Sequence, residues 1–247
     1  MQLFYNETDI EVGIDEVGRG CLVGPVYAAA VIWPKQLNPE IEHPVLKDSK
    51  KYSKKKLPIM EQYIKDNCID YAIGIINPQE IDEINILQST FKAMHQALDK
   101  LETRFDSIIV DGNRFPEYYD KNKQDWIQHT CIIGGDDKYA SIAAASIIAK
   151  TARDRYIQSL CDQFNILDTR YKLSSNVGYA SKDHRNGIKE FGITQFHRKS
   201  FGICKEYINN ITIIENENKN VQENIKKYFA KEKNIENIEN IEENIEN

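Results

Sequence analysis

No stretch of this sequence stays apolar for the roughly 18 residues that a membrane-crossing helix would need. Near the start stand Glu7, Asp9 and Glu11, where an export signal would carry positive charge followed by an apolar run. The protein is therefore expected to be soluble, cytoplasmic and not exported. Cysteine is sparse: Cys21, Cys68, Cys131, Cys161 and Cys204 lie far apart without CxxC spacing. That argues against a disulfide frame or a zinc site and predicts buried thiols in a reducing compartment. Positive charge is not in excess either. The net charge of −6 would seem to exclude a nucleic-acid partner, but from Glu215 to Asn247 nine Glu stand against five Lys, so the tail holds −4 and the preceding 214 residues only −2. Binding follows local field more than total charge.

What the sequence does contain is enough apolar residue, 41% of 247, for one well-filled α/β domain with an appendage. The chain is organised around Ile10 to Val31, IEVGIDEVGRGCLVGPVYAAAV. Two acids, Asp15 and Glu16, interrupt a run otherwise shaped like a core strand. An isolated pair of this kind usually caps a polar turn. Ionised carboxylates inside an apolar sheet cost several kcal/mol each unless paired or bound to a cation, so the segment either ends at a cleft or holds a metal. Gly18 and Gly20 free the backbone to approach a ligand, and Arg19 between them is placed to meet an anion.

In chain order, Asp9–Val17 and Val23–Trp33 read as neighbouring strands. Lys47 to Lys56, KDSKKYSKKK, is either a solvated loop or a patch that tracks backbone phosphates. Ser53–Asn67 has helical spacing and Tyr71–Ile76 is a short apolar strand. Asn77-Pro78-Gln79-Glu80 combines a capping Asn, a first-turn proline and a Glu three residues after the cap. It predicts a helix to about Glu102 burying Ile81, Ile84, Leu87, Phe91, Met94 and Leu98. Ser107–Asp111 is a strand ending in an acid before Gly112. Thr130 to Asp137 is another, ending in two acids, Asp136 and Asp137. Any one such Asp is most often a turn residue. Three strands that each end in a carboxylate suggest a shared site, because ligands bind at the C-terminal strand edge of open α/β sheets. Ser141–Phe164 is a helix whose SIAAASIIAK half must pack closely on the sheet, with Lys150, Arg153, Asp154 and Arg155 on its more polar half. Ser174–Gly187 reads as polar and irregular, with Tyr179 and His184 among cations. Tyr179 could stack on a sugar or base or serve as a half-buried anchor. From Ile211 the sequence is Asn/Glu/Ile/Lys-rich and of low complexity, more a frayed or partner-dependent helix than a second domain.

Should Asp15, Glu16, Asp111 and Asp136 converge, their mutual repulsion would keep some protonated in the absence of cations. Oxygen-only ligands suit Mg²⁺ or Mn²⁺ and give no role to zinc or copper. Two such ions about 4 Å apart form the clamp used for in-line displacement at phosphorus. The chemistry implied is phosphodiester hydrolysis.

GIDEVGRG, DSKK, NPQEIDEINILQS, VDGNR, GD followed by SIAAASIIAKTARD, GYASKDH and FHRKSF occur in this order between Ile10 and Phe201. Together they resemble ribonuclease HII, the bacterial-type 2 ribonuclease H. The resemblance implies a ribonuclease H-like α/β fold: a central mixed five-stranded sheet flanked by helices, with a helical C-terminal part. The catalytic domain would span 1–211 and the tail 212–247. It further implies metal-dependent cleavage of RNA in RNA–DNA hybrids, and incision 5′ to a single ribonucleotide embedded in duplex DNA. Asp15, Glu16 and Asp111 are the implied ligands of Mn²⁺ or Mg²⁺, and the fourth acid falls on Asp136 in preference to Asp137. Gly18, Arg19 and Gly20, with Tyr179, correspond to elements that read the 2′-hydroxyl and the DNA–RNA junction. Lys47, Lys50, Lys150, Arg153 and His184 are further expected substrate contacts, on phosphates. The implied partners are RNA–DNA hybrid and ribonucleotide-containing DNA, engaged by a monomer without a membrane. Gln222-x-x-Ile225-x-x-Tyr228-Phe229 in the tail resembles the sliding-clamp-binding motif of some replication proteins, although the pattern is short and the tail biased. Ala180-Ser181 stands where the family usually has Gly-Thr. The alternative enzyme is a structure-specific DNA nuclease of the same superfamily, such as a junction resolvase, which would not need a ribose reader. The alternative from another class is a non-catalytic hybrid-binding protein.

Overall fold

The structure, a computed structural model, describes residues 1–40 and 42–214. Its elements in order are β1 (Glu11–Val17), β2 (Val26–Ile32), α1 (Leu57–Asn67), β3 (Asp70–Ile76), α2 (Pro78–Asp99), β4 (Ser107–Asp111), β5 (Tyr118–Asp120), β6 (Asp125–Ile132), α3 (Ala140–Gln163), α4 (Asn165–Tyr171), α5 (Leu173–Asn176), α6 (Lys182–Phe191), β7 (Ile193–Thr194) and β8 (Ile211–Thr212). The sheet runs β3-β2-β1-β4-β6-β5. β1 is antiparallel to β2 and parallel to β4, and β4 is parallel to β6, so the sheet is mixed. Four of the five expected strands are present near their expected bounds; the fifth, expected from Thr130 to Asp137, runs instead from Asp125 to Ile132 and ends before the acids, and the three-residue β5 adds a sixth strand by folding back on β6.

Helices cover both faces. Val12, Ile14, Val26, Ala28, Ala30 and Ile32 face α2, whereas Tyr27, Ala29 and Val31 face α1 and α3. The close approach depends on glycine at two strand positions. A Cβ on Gly13 would lie 2.4 Å from the main chain of Ser141, and one on Gly74 would lie 1.8 Å from the carbonyl of Ala93. With those side chains missing, the Ala-rich start of α3 can sit directly on β1. No helix among the described residues is long and apolar enough to cross a membrane.

α2 departs from the expectation of one uninterrupted helix to Glu102. Its N-cap is as foreseen, Asn77 accepting from the Glu80 amide at 2.8 Å. At Asn85 the backbone turns to φ 69°, and the Asn85 carboxamide oxygen then accepts from the amides of Leu87 and Gln88, capping a second helical segment. The phase shift leaves Ile84 and Leu87 only half-buried and buries Ser89 and Thr90.

The second half of α3 leads into a helical lobe in which Leu22 and Val23 pack with Ile157, Leu160, Phe164, Leu167, Tyr171 and Ile188. Ser174–Gly187, read from sequence as irregular, contains α5 and the start of α6. Ser181 caps α6 by accepting from the His184 amide. The boundary expected after 211 falls inside β8, which pairs with β7, and Ile214 is held to Gln195 in both directions. The clamp-like motif and the remainder of the tail lie outside the described residues.

Candidate active site

β1, β4 and β6 run parallel, so their C-terminal ends share one edge. Pairing Ile14 with Val110 places Asp15 beside Asp111, and β6 delivers the turn at Gly135–Asp137 to the same edge. Alternation along β1 turns Asp15 toward α3, on the face that Gly13 leaves bare, where Ser146 hydrogen-bonds to the Asp15 carboxylate. Ser146 also pairs with Ser49 across 3.0 Å. Neither serine stands out in the sequence, although Ser49 lies in DSKK and Ser146 in SIAAASIIAK. Asp111 is fixed at its other side, where Oδ1 accepts from the Gly135 amide at 2.7 Å.

Burial raises the Asp15 carboxyl well above the usual range, reinforced by the nearby charges of Glu16 and Asp111. Glu16 is raised by burial too, with Arg19 pulling the other way through a 3.2 Å ion pair. Asp136 is pushed up to about 6, first by burial and then by Asp111 and Asp48. Asp48, the cap of the DSKK turn, is thus a further acid beside the cluster that sequence reading did not single out. Lys50 stretches over these acids, 3.6 Å from Asp48 and 4.0 Å from Asp136. Partial burial would lower its pKa, but the carboxylates of Asp48, Asp136, Asp15 and Asp111 outweigh this and raise it. Asp137 points elsewhere: it is half-exposed and paired with Lys51 at 2.5 Å.

Carboxylates crowded at one edge, with those of Asp15, Glu16 and Asp136 raised above their ordinary range, are what an added cation would relieve. Their all-oxygen chemistry matches a hard divalent ion. Among the described residues no three His, Cys, Asp or Glu side chains form a closed cage as placed.

The proposed reader elements also meet. Cys21 and Tyr179 form an antiparallel bridge, which sets Gly18–Gly20 next to Tyr179, and the Leu22 amide donates to the Gly178 carbonyl at 2.8 Å. The Tyr179 ring is half-exposed, and its phenol lies beside the buried Cys21 thiol. Arg19 keeps an exposed guanidinium. Lys47 is exposed, as Lys50 is; the amine of Lys150 is bound to Asp154 at 2.8 Å.

Two expected phosphate contacts are corrected. Arg153 and His184 both have 0% exposure, so neither reaches a duplex. Arg153 spends its donors on main-chain carbonyls. His184 lies in a buried relay whose hydrogen bonds set its tautomers. The Thr194 amide donates to His197 Nδ1 at 3.0 Å, leaving His197 Nε2 to donate to His184 Nε2 at 3.2 Å. His184 Nδ1 then donates to the Tyr179 carbonyl at 2.8 Å. A charged imidazole at either position would break this chain.

An acid-stability prediction follows from the relay. Burial lowers His184 to about 4, against the partial opposition of the Tyr179 carbonyl. Between the unfolded value near 6.5 and about 4 the unfolded chain binds the proton and the folded one does not. The stability due to neutral His184 is therefore complete above that window and is lost as pH falls through it, about 3 kcal/mol in all. Asp136, raised in the folded state, acts with the opposite sign over part of the same range. His197 is lowered by the same burial and in part by His184, so the difference between wild type and His184→Gln reports the titration of the histidine pair. Urea melts at pH 7 and pH 4.5 should show a smaller acid loss in the variant; equal losses would place the titration elsewhere.

Known proteins share this fold. Residues 12–204 match the family described as Ribonuclease HII. The Ribonuclease HII of Bacteroides fragilis is 47% identical over 200 residues, covering 81% of this chain and 92% of that protein. Among solved structures, the ribonuclease H2 of Pyrococcus horikoshii OT3 superimposes with a TM-score of 0.64 at 23% identity, covering 81% of this chain and 97% of that one. The RNase HII in a PCNA:RNase HII complex from Archaeoglobus fulgidus superimposes with a TM-score of 0.58 at 23% identity, over 78% and 95% of the two chains.

Proposed function

Since the chain belongs to the ribonuclease HII family, we propose that Asp15, Glu16, Asp111 and Asp136 are the ligands through which it hydrolyses phosphodiesters. The enzyme is a divalent-metal-dependent ribonuclease H, an endonuclease acting on RNA in RNA–DNA hybrids, and incision 5′ to single ribonucleotides in duplex DNA fits its type. The observation that carries the assignment is the convergence of four acids at the C-terminal edge of three parallel strands, three of them with raised carboxyls. Bound by these oxygens, Mg²⁺ or Mn²⁺ would polarise the scissile phosphate and make water a stronger nucleophile, in the manner of two-ion sites.

The protein's own part is to place the substrate. Asp15 and Asp111 are held by Ser146 and the Gly135 amide, so their free oxygens present a fixed edge. Lys50, charged and 79% exposed at its side chain, faces both the acids and solvent, which suits a phosphate entering the cluster. Lys47 and Lys150 would extend that grip along the backbone, a role that neutralises charge without reading bases. Gly18–Gly20 and Tyr179, joined by the Cys21–Tyr179 bridge, are the elements suited to sense a 2′-hydroxyl, the group that separates ribose from deoxyribose. We place the protein in the cytoplasm, acting as a monomer. The tail pattern at Gln222–Phe229 is a candidate clamp contact, an idea supported only by its likeness to clamp-binding motifs and by the PCNA complex of the archaeal relative.

An end-labelled DNA duplex with one ribonucleotide, beside all-DNA and EDTA controls, tests the reading. One metal-dependent cut 5′ to the ribonucleotide, absent from all-DNA, is expected. Equal cleavage of both duplexes would favour the structure-specific nuclease, and no cleavage of either would favour a hybrid-binding protein.

A further inference from the structure

We propose that Arg153 and Arg198 are positioning residues for sugar recognition, two buried guanidinium groups that hold the Gly18–Gly20 turn in register with Tyr179. The proposal rests on the reading of those elements as the ribose reader. Both arginines are 0% exposed. A buried cation costs several kcal/mol unless its donors are satisfied, so what satisfies them shows what the charge is used for.

The partners are main-chain carbonyls, and they are concentrated in one place. Arg153 donates from Nε to Pro25, from Nη2 to Val23 and from Nη1 to Val177, at 3.3, 3.0 and 2.9 Å. Arg198 donates from Nε to Gly24 and from Nη1 to Arg19, at 2.9 and 3.0 Å. Its own amide donates to Leu22 at 2.8 Å. All but one of these acceptors lie between Arg19 and Pro25, the loop that follows the glycine-arginine-glycine turn, and the exception stands two residues before Tyr179. The Arg198 Nη2 atom is buried without a partner. An arginine kept only to fill volume would gain nothing over an apolar residue.

Glycine marks the same contact from both sides. A Cβ on Gly18 would lie 2.3 Å from Arg153 Nε, and one on Gly178 would lie 3.2 Å from Arg153 Nη2 and 2.9 Å from the Val23 carbonyl. The guanidinium is thus wedged between the two backbones, and its planar fork sets their spacing. Arg198 is seated from its other side, because Asp82 on α2 accepts from the amides of Lys199 and Ser200, both at 2.8 Å. Arg198 also lies over the Phe201 ring, 4.9 Å from its centroid. The turn carrying Arg19 is thereby tied to the sheet-covering helix as well as to the helical lobe.

A lysine keeps the charge but has one nitrogen, so it cannot span the carbonyls that each fork bridges. The test compares wild type with Arg153→Lys, Arg198→Lys and Tyr179→Ala, and with each arginine change combined with Tyr179→Ala. The substrate is the single-ribonucleotide duplex with Mg²⁺, with kcat, KM and melting temperature measured for each protein. A misplaced reader should lower kcat by roughly 10- to 100-fold while KM moves less than about threefold, because Lys47 and Lys50, two of the lysines that grip phosphate, lie on a different segment. In the doubles, the arginine change should cost less than about twofold beyond Tyr179→Ala, since it acts through that residue. Additive losses, losses confined to KM, or wild-type kcat in folded lysine variants would overturn the proposal. Should a lysine variant melt below the assay temperature, Gly178→Ala replaces it, pressing on the same bridge with both arginines intact. It should show the same non-additive kcat loss, and normal kcat in it would overturn the proposal. Undiminished kcat in Tyr179→Ala alone would remove the sugar-reader reading and this proposal with it, whereas impaired Tyr179→Ala beside normal arginine variants would remove only the proposal.

Discussion

Asp111→Asn is expected to abolish metal-dependent cleavage and to leave duplex affinity nearly unchanged. The substitution keeps the shape of the side chain and the carboxamide oxygen that can accept from the Gly135 amide, now at 2.7 Å. What disappears is a negative charge at the centre of the cluster. Loss of an outer hydrogen-bonding partner of a metal site typically costs about 10- to 100-fold, so loss of a direct ligand should exceed 100-fold. Phosphate-gripping lysines are untouched, and binding measured in EDTA should survive. The stability of the metal-free protein should rise, because the Asp111 charge raises the carboxyls of Asp15, Glu16 and Asp136. Melting in EDTA checks that sign. Wild-type cleavage by the variant would remove Asp111 from the ligand set.

Asp136→Asn should be nearly as damaging, and Asp137→Asn close to silent. Sequence alone leaves adjacent acids hard to separate, since both follow the same strand and glycine pair. The turn at Gly135–Asp137 sends them to different neighbours: Asp136 is 8% exposed among Asp111, Asp48 and Lys50, and Asp137 is half-exposed against Lys51. A loss above about 100-fold is expected for Asp136→Asn. For Asp137→Asn what is lost is a solvent-screened ion pair with Lys51 and the charge on a contact with the Asp48 main chain, away from the other acids. Initial rates across a Mn²⁺ titration distinguish the two, and the reverse pattern would move the fourth ligand to Asp137.

Much of the scaffold was legible because its signals are local. Alternation and β-branched runs marked β1 to β4, the Asn77 cap marked the start of α2, and the Ala-rich run after Ser141 announced a helix lying directly on the sheet. The failures were local signals overruled by packing. Asn85 scores as an ordinary helix-interior residue, yet it recaps α2 and shifts the buried face. Ser174–Gly187 looks like a loop by composition, yet the α6 cap at Ser181 and the burial of Gly187 against the main chain of Arg170 make it part of a helical lobe.

The site divides in the same way. Acids at strand ends can be found along the chain, because a carboxylate in an apolar run is an anomaly in one dimension. That Asp15, Asp111 and Asp136 meet depends on parallel pairing of β1, β4 and β6, which no spacing encodes. Cationic residue types on α3 and α6 suggested phosphate contacts at Arg153 and His184; only the fold could show both fully buried. A guanidinium reads the same in sequence whether it faces solvent or, as in Arg153, three carbonyls. Residue chemistry determined what this protein can bind and cleave, and tertiary packing decided which charges reach the substrate, because burial and hydrogen-bond partners are properties of neighbours distant in the chain.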